Sequence, residues 1–411
     1  MKSVIGIIGE YNPFHNGHKF HLEESKKIAH ADYSIAVISG NFVQRGNVSI
    51  IDKWSKTEMA LNNGIDLVIE LPTIYSVSSA ENFAYGAIKT LNSLNVVDFL
   101  AFGSETGDID TLNLFADIFT KQPSEFVSLL NHELQKGISF PKARENAALM
   151  YLNDIRKYSN VLSSPNNILG IEYLKALKKT RSNIRPLTIK RQNVEYKDIS
   201  VKNNFASATS IREMLIKNKL SKLPYVMPKE TYKIFYDNFQ KGHIIKDLSS
   251  FEKEIIFSLR KMTLDEIANI PDVSEGLEHN IKKTANSCNT LEEFMNIIKT
   301  KRYTNTRIQR ILLYSLLGIT KKDMKDSAKN IPYIRVLGFN DKGKELLSVI
   351  SNSNKNIDIV TSVKKYIDNG NPSKYSKRML DIDINATNIY TLEYAKDSWA
   401  NLDYTHNLII K

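Results

Sequence analysis

The sequence predicts an α/β fold: a parallel sheet covered by helices on both faces, then a mainly helical C-terminal domain carrying a small α/β element. Three observations predict it. Short apolar runs alternate with helix-length segments from Val4 to about Lys217, the pattern of repeated strand–helix units. The runs are apolar throughout rather than at every second position, as strands buried on both faces must be. Pro224 and Pro228 then punctuate the chain, and the residues beyond them read as helix to about residue 330.

Val4 to Ile8 is the first strand, and Gly17 to Ala31 carries a helical pattern with Phe20, Leu22 and Ile28 among polar residues. Ser34 to Ser39 is the second strand, stopped by Gly40, with a helix from Lys53 to Asn62 behind it. Asp66 to Leu71, stopped by Pro72, is the third, followed by a helix over Ala80 to Leu94. Val96 to Phe102 is the fourth, ending at Gly103 before a helical stretch from Thr111 to Arg156. Arg185 to Lys190 is the fifth, ahead of a short helix from Thr209 to Lys217. Further on, Tyr333 to Gly338 and Ile357 to Thr361 read as strands around a helix from Lys342 to Ser351. These divisions predict two domains, residues 1–222 and 223–411. In such sheets ligands bind beyond the carboxyl ends of the strands, where the strand order reverses. The segments after Ile8, Phe102 and Lys190 are therefore the places to look.

The 411 residues are 42% hydrophobic and 25% charged, an ordinary globular composition. The one cysteine, Cys288, excludes an internal disulfide and a cysteine-based zinc site, and fits a reducing, cytoplasmic setting. The N-terminal apolar run is too short for a signal peptide. No stretch approaches the roughly 20 apolar residues of a membrane helix, so a membrane role is not expected. The formal charge is +11, divided as roughly +4 before residue 220 and roughly +7 after it. Excess positive charge favours an anionic partner, nucleic acid above all. A plain basic surface accounts for it equally well.

Chemistry is carried by the segment Gly9-Glu10-Tyr11-Asn12-Pro13-Phe14-His15-Asn16-Gly17-His18, between the first strand and the first helix. A helix start offers unpaired N–H groups and a positive dipole end, which suit a phosphate. Gly17 lets the backbone approach a ligand, and Pro13 stiffens the turn. His15 and His18 are three residues apart, so both can donate to phosphoryl oxygens at the helix start. Attack on the α-phosphate of a nucleotide with loss of pyrophosphate suits this arrangement. It needs positioning and charge stabilisation and no side-chain nucleophile. A metal held by His15, His18 and His21 is a competing reading, but Glu10, Glu23 and Glu24 show no spacing that completes such a site. Capping and packing of the first turn is the third.

His15-Asn16-Gly17-His18 resembles the HxGH signature of the nucleotidylyltransferase superfamily, which implies a Rossmann-like doubly wound parallel sheet. The longer string from Gly6 to His18 resembles the tRNA(Met) cytidine acetate ligases. So do Ser39 to Gly46, Phe102-Gly103-Ser104-Glu105, Ser164 to Gly170, Ile189-Lys190-Arg191 and Ala206 to Arg212. These pieces keep a consistent order over residues 4 to 212. The C-terminal half resembles the family only in length and general character. The resemblance implies a ligase acting in two steps. ATP and acetate give acetyl-adenylate and pyrophosphate, and the exocyclic amine of the wobble cytidine of elongator tRNA(Met) then takes the acetyl group, releasing AMP and leaving N4-acetylcytidine. It also implies His15 and His18 as catalytic residues and Mg2+ accompanying ATP, with no metal ligands from the protein. The implied ATP pocket is drawn from Ile7, Ile8, Gly9, Glu10, Tyr11, Asn12, Pro13, Phe14, His15, Asn16, Gly17, His18, Gly103, Asn166, Asn167, Arg191, Ser207, Thr209 and Arg212.

The outlying members of that set have readings of their own. Gly103 ends the fourth strand, where a glycine permits close approach of adenine or ribose. Of Asn166 and Asn167, one suits a helix N-cap and the other a nucleotide contact. Arg191 lies just beyond the fifth strand, where a cation meets phosphates or base. Ser207, Thr209 and Arg212 form a hydroxyl-rich helix start followed by a cation, suited to β- and γ-phosphates, with Thr209 as a plain N-cap the alternative. Gln44 and Arg45 follow the second strand at the same sheet edge, a position that suits a contact with acetate or tRNA, whereas Lys53 and Lys56 read as solvated. In the second half, Lys301, Arg302, Arg307, Arg310, Lys321, Lys322 and Lys325 suggest a phosphate-tracking surface. Lys374, Lys377 and Arg378 form a second cluster with Tyr375 as a stacking partner. Two other functions compete: a nucleotidyltransferase making a dinucleotide-type cofactor, and a non-catalytic nucleotide- or RNA-binding protein. The large basic second half argues against the former, and the intact His15 and His18 against the latter.

Overall fold

Alternate residues of the apolar strands enter two separate cores. Val4 of β1 (Val4–Gly9) packs in one buried cluster, and Ile5 and Ile7 in another. Along β2 (Tyr33–Ser39), Ile35 and Val37 join the first, Ala36 and Ile38 the second. Both faces of the sheet are therefore covered, which is why these strands lack an alternating pattern. The computed structural model describes residues 2–191, 205–217, 219–300, 303–353 and 357–411.

β5 (Leu67–Leu71), β6 (Phe99–Ser104) and β7 (Arg185–Lys190) complete the parallel part, in the spatial order β5-β2-β1-β6-β7. The chain builds outward from β1 to β2 and β5, then returns to the other side of β1 for β6 and β7. The order thus reverses between β1 and β6. A two-stranded hairpin of β3 (Phe42–Val43) and β4 (Asn47–Val48) follows β2. The fourth expected strand starts late, at Phe99, because Asp98 turns the chain: its carboxylate accepts the Val4 N–H at 2.8 Å. The long helical stretch is broken into Ile109–Lys121, Ser124–Gln135, Phe140–Leu152 and Ile155–Tyr158, with left-handed residues at Gln122 and Asn153.

The tail departs from the sequence expectation. β8 (Ile334–Phe339), expected inside an α/β element of the second domain, pairs antiparallel with β5 and extends the main sheet. β9 (Ile359–Val360) and β10 (Ile409–Ile410) pair parallel with β8. The boundary at residue 222 therefore separates strands of one sheet. A buried charge explains the closure. Glu70 interrupts the apolar run of β5, and a buried carboxylate must be paired. Lys53, at the start of α2 (Lys53–Asn62), reaches it at 3.0 Å, and Arg335 of β8 at 3.3 Å. Both cations also meet Asp403, at 2.6 and 2.5 Å. Lys53 and Lys56, expected in solvent, are both fully buried. Beside this cluster Asp383 accepts from Thr73 N–H at 2.7 Å and Tyr333 O–H at 2.6 Å, and Trp54 stacks on His406 at 4.4 Å.

Lys53→Met should leave Glu70 and Asp403 short of a cation. The expected loss of stability is about 3–5 kcal/mol, read as a lower urea midpoint at unchanged slope.

Candidate active site

The segments after β1, β6 and β7 meet at the reversal of strand order. The motif loop leaves β1 and enters α1 (Asn16–Ala29) through a reciprocal cap. The Nδ1 of His15 accepts the Gly17 N–H at 3.0 Å, and the Nδ1 of His18 accepts the His15 N–H at 3.3 Å. The rings stack, with centroids 3.8 Å apart. The edges of Tyr11 and Phe14 surround the pair: Tyr11 lies 4.8 Å from Phe14 and 5.0 Å from His18.

This cap alters the sequence reading in one respect. The Gly17 N–H, expected to face a phosphate, is used internally. Gly17 is required for the cap itself, since a Cβ there would sit 2.8 Å from the His15 ring. What the site presents instead is imidazole. Each Nδ1 accepts, so each neutral ring carries its proton on Nε2 as a donor. Burial pulls His15 down to about 3, helped by the charges of Arg191 and Arg212. Burial, His15 and Arg191 hold His18 well below the ordinary histidine value. His21, one turn on, is drawn down to about 4 by burial, against the Phe102 carbonyl, and its Nε2 has no partner among the described residues. Near neutrality all three rings are uncharged. As for the metal reading, no group of three His, Cys, Asp or Glu side chains among the described residues is placed to hold an ion.

Two arginines close on the motif from β7 and the helix Ala208–Ile216. Arg191 donates its N–H to the Ser104 carbonyl at 2.9 Å, and its side chain lies over Gly103, where a Cβ would come within 3.3 Å of it. Arg212 Nη1 bonds the Asn12 carbonyl at 2.9 Å and Nη2 bonds Thr209 Oγ1 at 3.1 Å. Ser207, not Thr209, caps that helix, accepting from Ser210 N–H at 3.1 Å.

Other expected residues have structural work. Asn12 uses its side chain on the hairpin, bonding the Val48 carbonyl and the Ile50 N–H. Asn16 reaches the Tyr225 carbonyl at 3.1 Å. Ile7 and Ile8 pack on opposite faces of the sheet, so only their backbone faces the strand end. A Cβ on Gly9 would meet the Tyr11 ring at 2.9 Å, and Tyr11 itself is left-handed at φ 46°. Pro13 follows Asn12 through a cis bond. Neither Asn166 nor Asn167 caps its helix; Glu105 does, accepting both of their backbone N–H groups. Asn166 Nδ2 also donates to Glu105, and Asn167 Oδ1 accepts the N–H groups of Glu105 and Thr106. Burial raises the carboxyl of Glu10, against the nearby Arg212, Lys56 and Arg45, and Glu10 accepts the Gln44 N–H at 3.0 Å.

Comparison with known proteins shows the family to which the chain belongs. The HIGH Nucleotidyl Transferase family model matches residues 1–403. The tRNA(Met) cytidine acetate ligase of Thermoanaerobacter sp. (strain X514) is 46% identical over 407 residues, 99% of each chain. That of Acetivibrio thermocellus is 43% identical over 415 residues, again 99% of each. A crystal structure of Thermotoga maritima TmcAL bound with alpha-thio ATP superposes with a TM-score of 0.92 at 34% identity, covering 100% of this chain and 99% of that one. The chain belongs to the tRNA(Met) cytidine acetate ligase family, among the HIGH nucleotidyl transferases. The HxGH motif of this family member is the reciprocal cap just described.

The basic second half of the chain is only partly free to meet a ligand. Arg307 is engaged by the Asp272 carbonyl and Ser274, and Arg310 pairs with Asp272 at 2.7 Å. Tyr375 donates its hydroxyl to the Asn330 carbonyl at 2.7 Å. Arg378 pairs with Asp323 at 2.8 Å. Lys301 and Arg302 lie outside the described residues. Sequence reasoning missed the burial of Lys53 and Lys56. The signal was Glu70, a carboxylate in an apolar strand that needs a cation from elsewhere.

The three uncharged histidines make stability depend on pH. Their folded values lie below the unfolded value of 6.5, so the unfolded chain binds more protons in acid. Their contribution is complete above pH 6.5 and is lost as pH falls toward 4, by up to about 1.4 kcal/mol per pH unit for each ring. Replacing His21 with Leu should make the fall of the urea midpoint between pH 6.5 and 4.5 shallower than in the unaltered protein.

Proposed function

We propose that this chain uses ATP to activate acetate as acetyl-adenylate and transfers the acetyl group to the wobble cytidine of elongator tRNA(Met). The full-length match at 46% identity to a tRNA(Met) cytidine acetate ligase carries the reading. The cap geometry supplies its chemistry. An acetate oxygen attacks the α-phosphorus, and the bond to pyrophosphate breaks. Negative charge that builds on the phosphoryl oxygens is met by the Nε2–H groups of His15 and His18, with the Arg191 and Arg212 guanidinium groups close by. Fixed donors of this kind act without reorganisation. In the second step the cytidine N4 attacks the acetyl carbonyl, AMP leaves and N4 loses a proton. The ATP pocket would take in the motif loop together with Gly103, Asn166 or Asn167, Arg191, Ser207, Thr209 and Arg212. Mg2+ on the triphosphate would neutralise charge and orient the leaving pyrophosphate, with phosphate oxygens as its ligands.

For tRNA, the helical region beyond residue 222 supplies a surface. The Arg378–Asp323 pair joins the starts of the helices Lys321–Ser327 and Lys374–Tyr390. The two basic clusters, some fifty residues apart in sequence, therefore merge, and Lys321, Lys322, Lys325, Lys374 and Lys377 are all exposed on them. Such a patch fits a folded RNA backbone. No described helix is long and apolar enough to cross a membrane, and a cytoplasmic location belongs to the same reading.

Acetate-dependent exchange of pyrophosphate into ATP, followed by transfer of labelled acetate to tRNA(Met), tests the proposal. Exchange that ignores acetate but responds to a nucleotide-like acceptor would favour a cofactor-forming nucleotidyltransferase. His18→Ala should lower exchange by about 100-fold to 1000-fold. It also removes one capping bond, at a stability cost of about 1 kcal/mol; a far larger loss would point to packing as the main role of His18. Reversing Lys321 and Lys325 to Glu should weaken tRNA binding and reduce its logarithmic salt slope by about 2.

A further inference from the structure

The parallel pair β1 and β2 stays in register to Gly9 and Ile38, then forks. One branch becomes the motif loop, the other the hairpin β3–β4. At a fork the last carbonyls lose their strand partners, and buried carbonyls left without donors are unfavourable. Lys56 fills this one. Its Nζ donates to the carbonyls of Glu10 at 3.1 Å, Ser39 at 2.8 Å and Gly40 at 2.7 Å. An ammonium has three N–H donors and no acceptor, so three carbonyls saturate it. The side chain is 0% exposed.

We propose that Lys56 is a positioning residue of the nucleotide site, clamping the backbone of Glu10 to the end of β2 so that the motif loop holds the shape ATP requires. The inference rests on the ATP reading above. The hydrogen bonds of the Lys56 ammonium go to backbone carbonyls, so it fixes where the loop leaves the sheet whatever side chains stand there. The rest of the loop is pinned in relation to it. Gln44 N–H binds the Glu10 carboxylate, the Asn12 side chain holds Val48 and Ile50, and Arg212 holds the Asn12 carbonyl from the far side. Three residues earlier on the same helix, Lys53 enters the buried cluster with Glu70 and Asp403. A Cβ on Gly40 would sit 2.5 Å from Glu70 Oε1. The fork and the cluster therefore constrain one another through α2.

Burial draws the Lys56 ammonium down to about 7, while Glu10, Glu70 and Asp52 favour its charge and Lys53 opposes it. A neutral amine has two N–H groups, so one of the three carbonyls would be released as pH rises. ATP affinity of the full chain, measured by titration calorimetry with Mg2+ from pH 6.5 to 9, reads this directly. In the unaltered protein affinity should weaken above about pH 7. In Lys56→Met it should be weaker by about 10-fold to 100-fold at pH 6.5 and should lose the alkaline fall, with tRNA affinity unchanged. Lys56→Gln, which keeps two donors, should lie between them, and it carries the test if the Met variant does not fold. Variants that bind ATP within about twofold of the unaltered protein, or that keep its alkaline fall, overturn the clamp alone. An unaltered protein that binds no ATP overturns the parent reading, and the clamp with it.

Discussion

Glu70 is a carboxylate in the interior of a sheet, and much of the molecule is arranged to answer it. A lone buried charge is untenable, and a pair is tolerable only with good geometry and further bonds. Lys53 comes from the first half of the chain, Arg335 and Asp403 from the last eighty residues. The cluster therefore needs both ends of the sequence. It brings β8 against β5, and β9 and β10 follow along the other edge of β8. The same constraint reaches the active site, because the helix that supplies Lys53 also supplies Lys56 to the fork where the motif loop begins.

The parallel core was legible because its signal is local. Apolar runs separated by helix-length segments indicate a parallel sheet covered on both faces, and β7 and α2 occupy the ranges their patterns predict. The tail was not, because a strand such as Ile334–Phe339 carries no mark of which sheet it will join. The mark was on its partner: Glu70 in Leu-Val-Ile-Glu-Leu demands a cation, and Arg335 sits inside another apolar strand, Ile334–Phe339. Lys53 and Lys56 were read as solvated for the usual reason, that lysines seldom go inside. Spacing of three puts them on one helix face, and that face turns out to be inward.

In the candidate site, the letters single out a loop but not how its atoms are used. A glycine between two histidines at a helix start reads as a phosphate-binding backbone. In the folded chain the Gly17 N–H goes to His15 and the His15 N–H to His18. Which donors remain after a helix has capped itself is a matter of side-chain rotamers, and no spacing rule encodes it. Likewise Asn166 and Asn167 resemble caps, yet a carboxylate from the end of β6 takes that role, a contact across about sixty residues.

The reciprocal cap has a consequence for charge. Two imidazoles with centroids 3.8 Å apart cannot both become cations readily, because like charges at that distance repel strongly away from water. Beside Arg191 and Arg212 even one is disfavoured. The resting site therefore carries its positive charge on arginines and its directional donors on neutral rings. A triphosphate entering it reverses the local sign. Its negative charge stabilises an imidazolium, and the ring nearer to it gains most, so proton uptake would fall on one histidine of the pair. The other would stay neutral, with its Nε2–H left to donate to a phosphoryl oxygen as the proposed reaction requires. A pair of histidines joined through their Nδ1 atoms to one helix start can thus divide the work that two independent histidines would duplicate, one compensating charge while the other holds geometry.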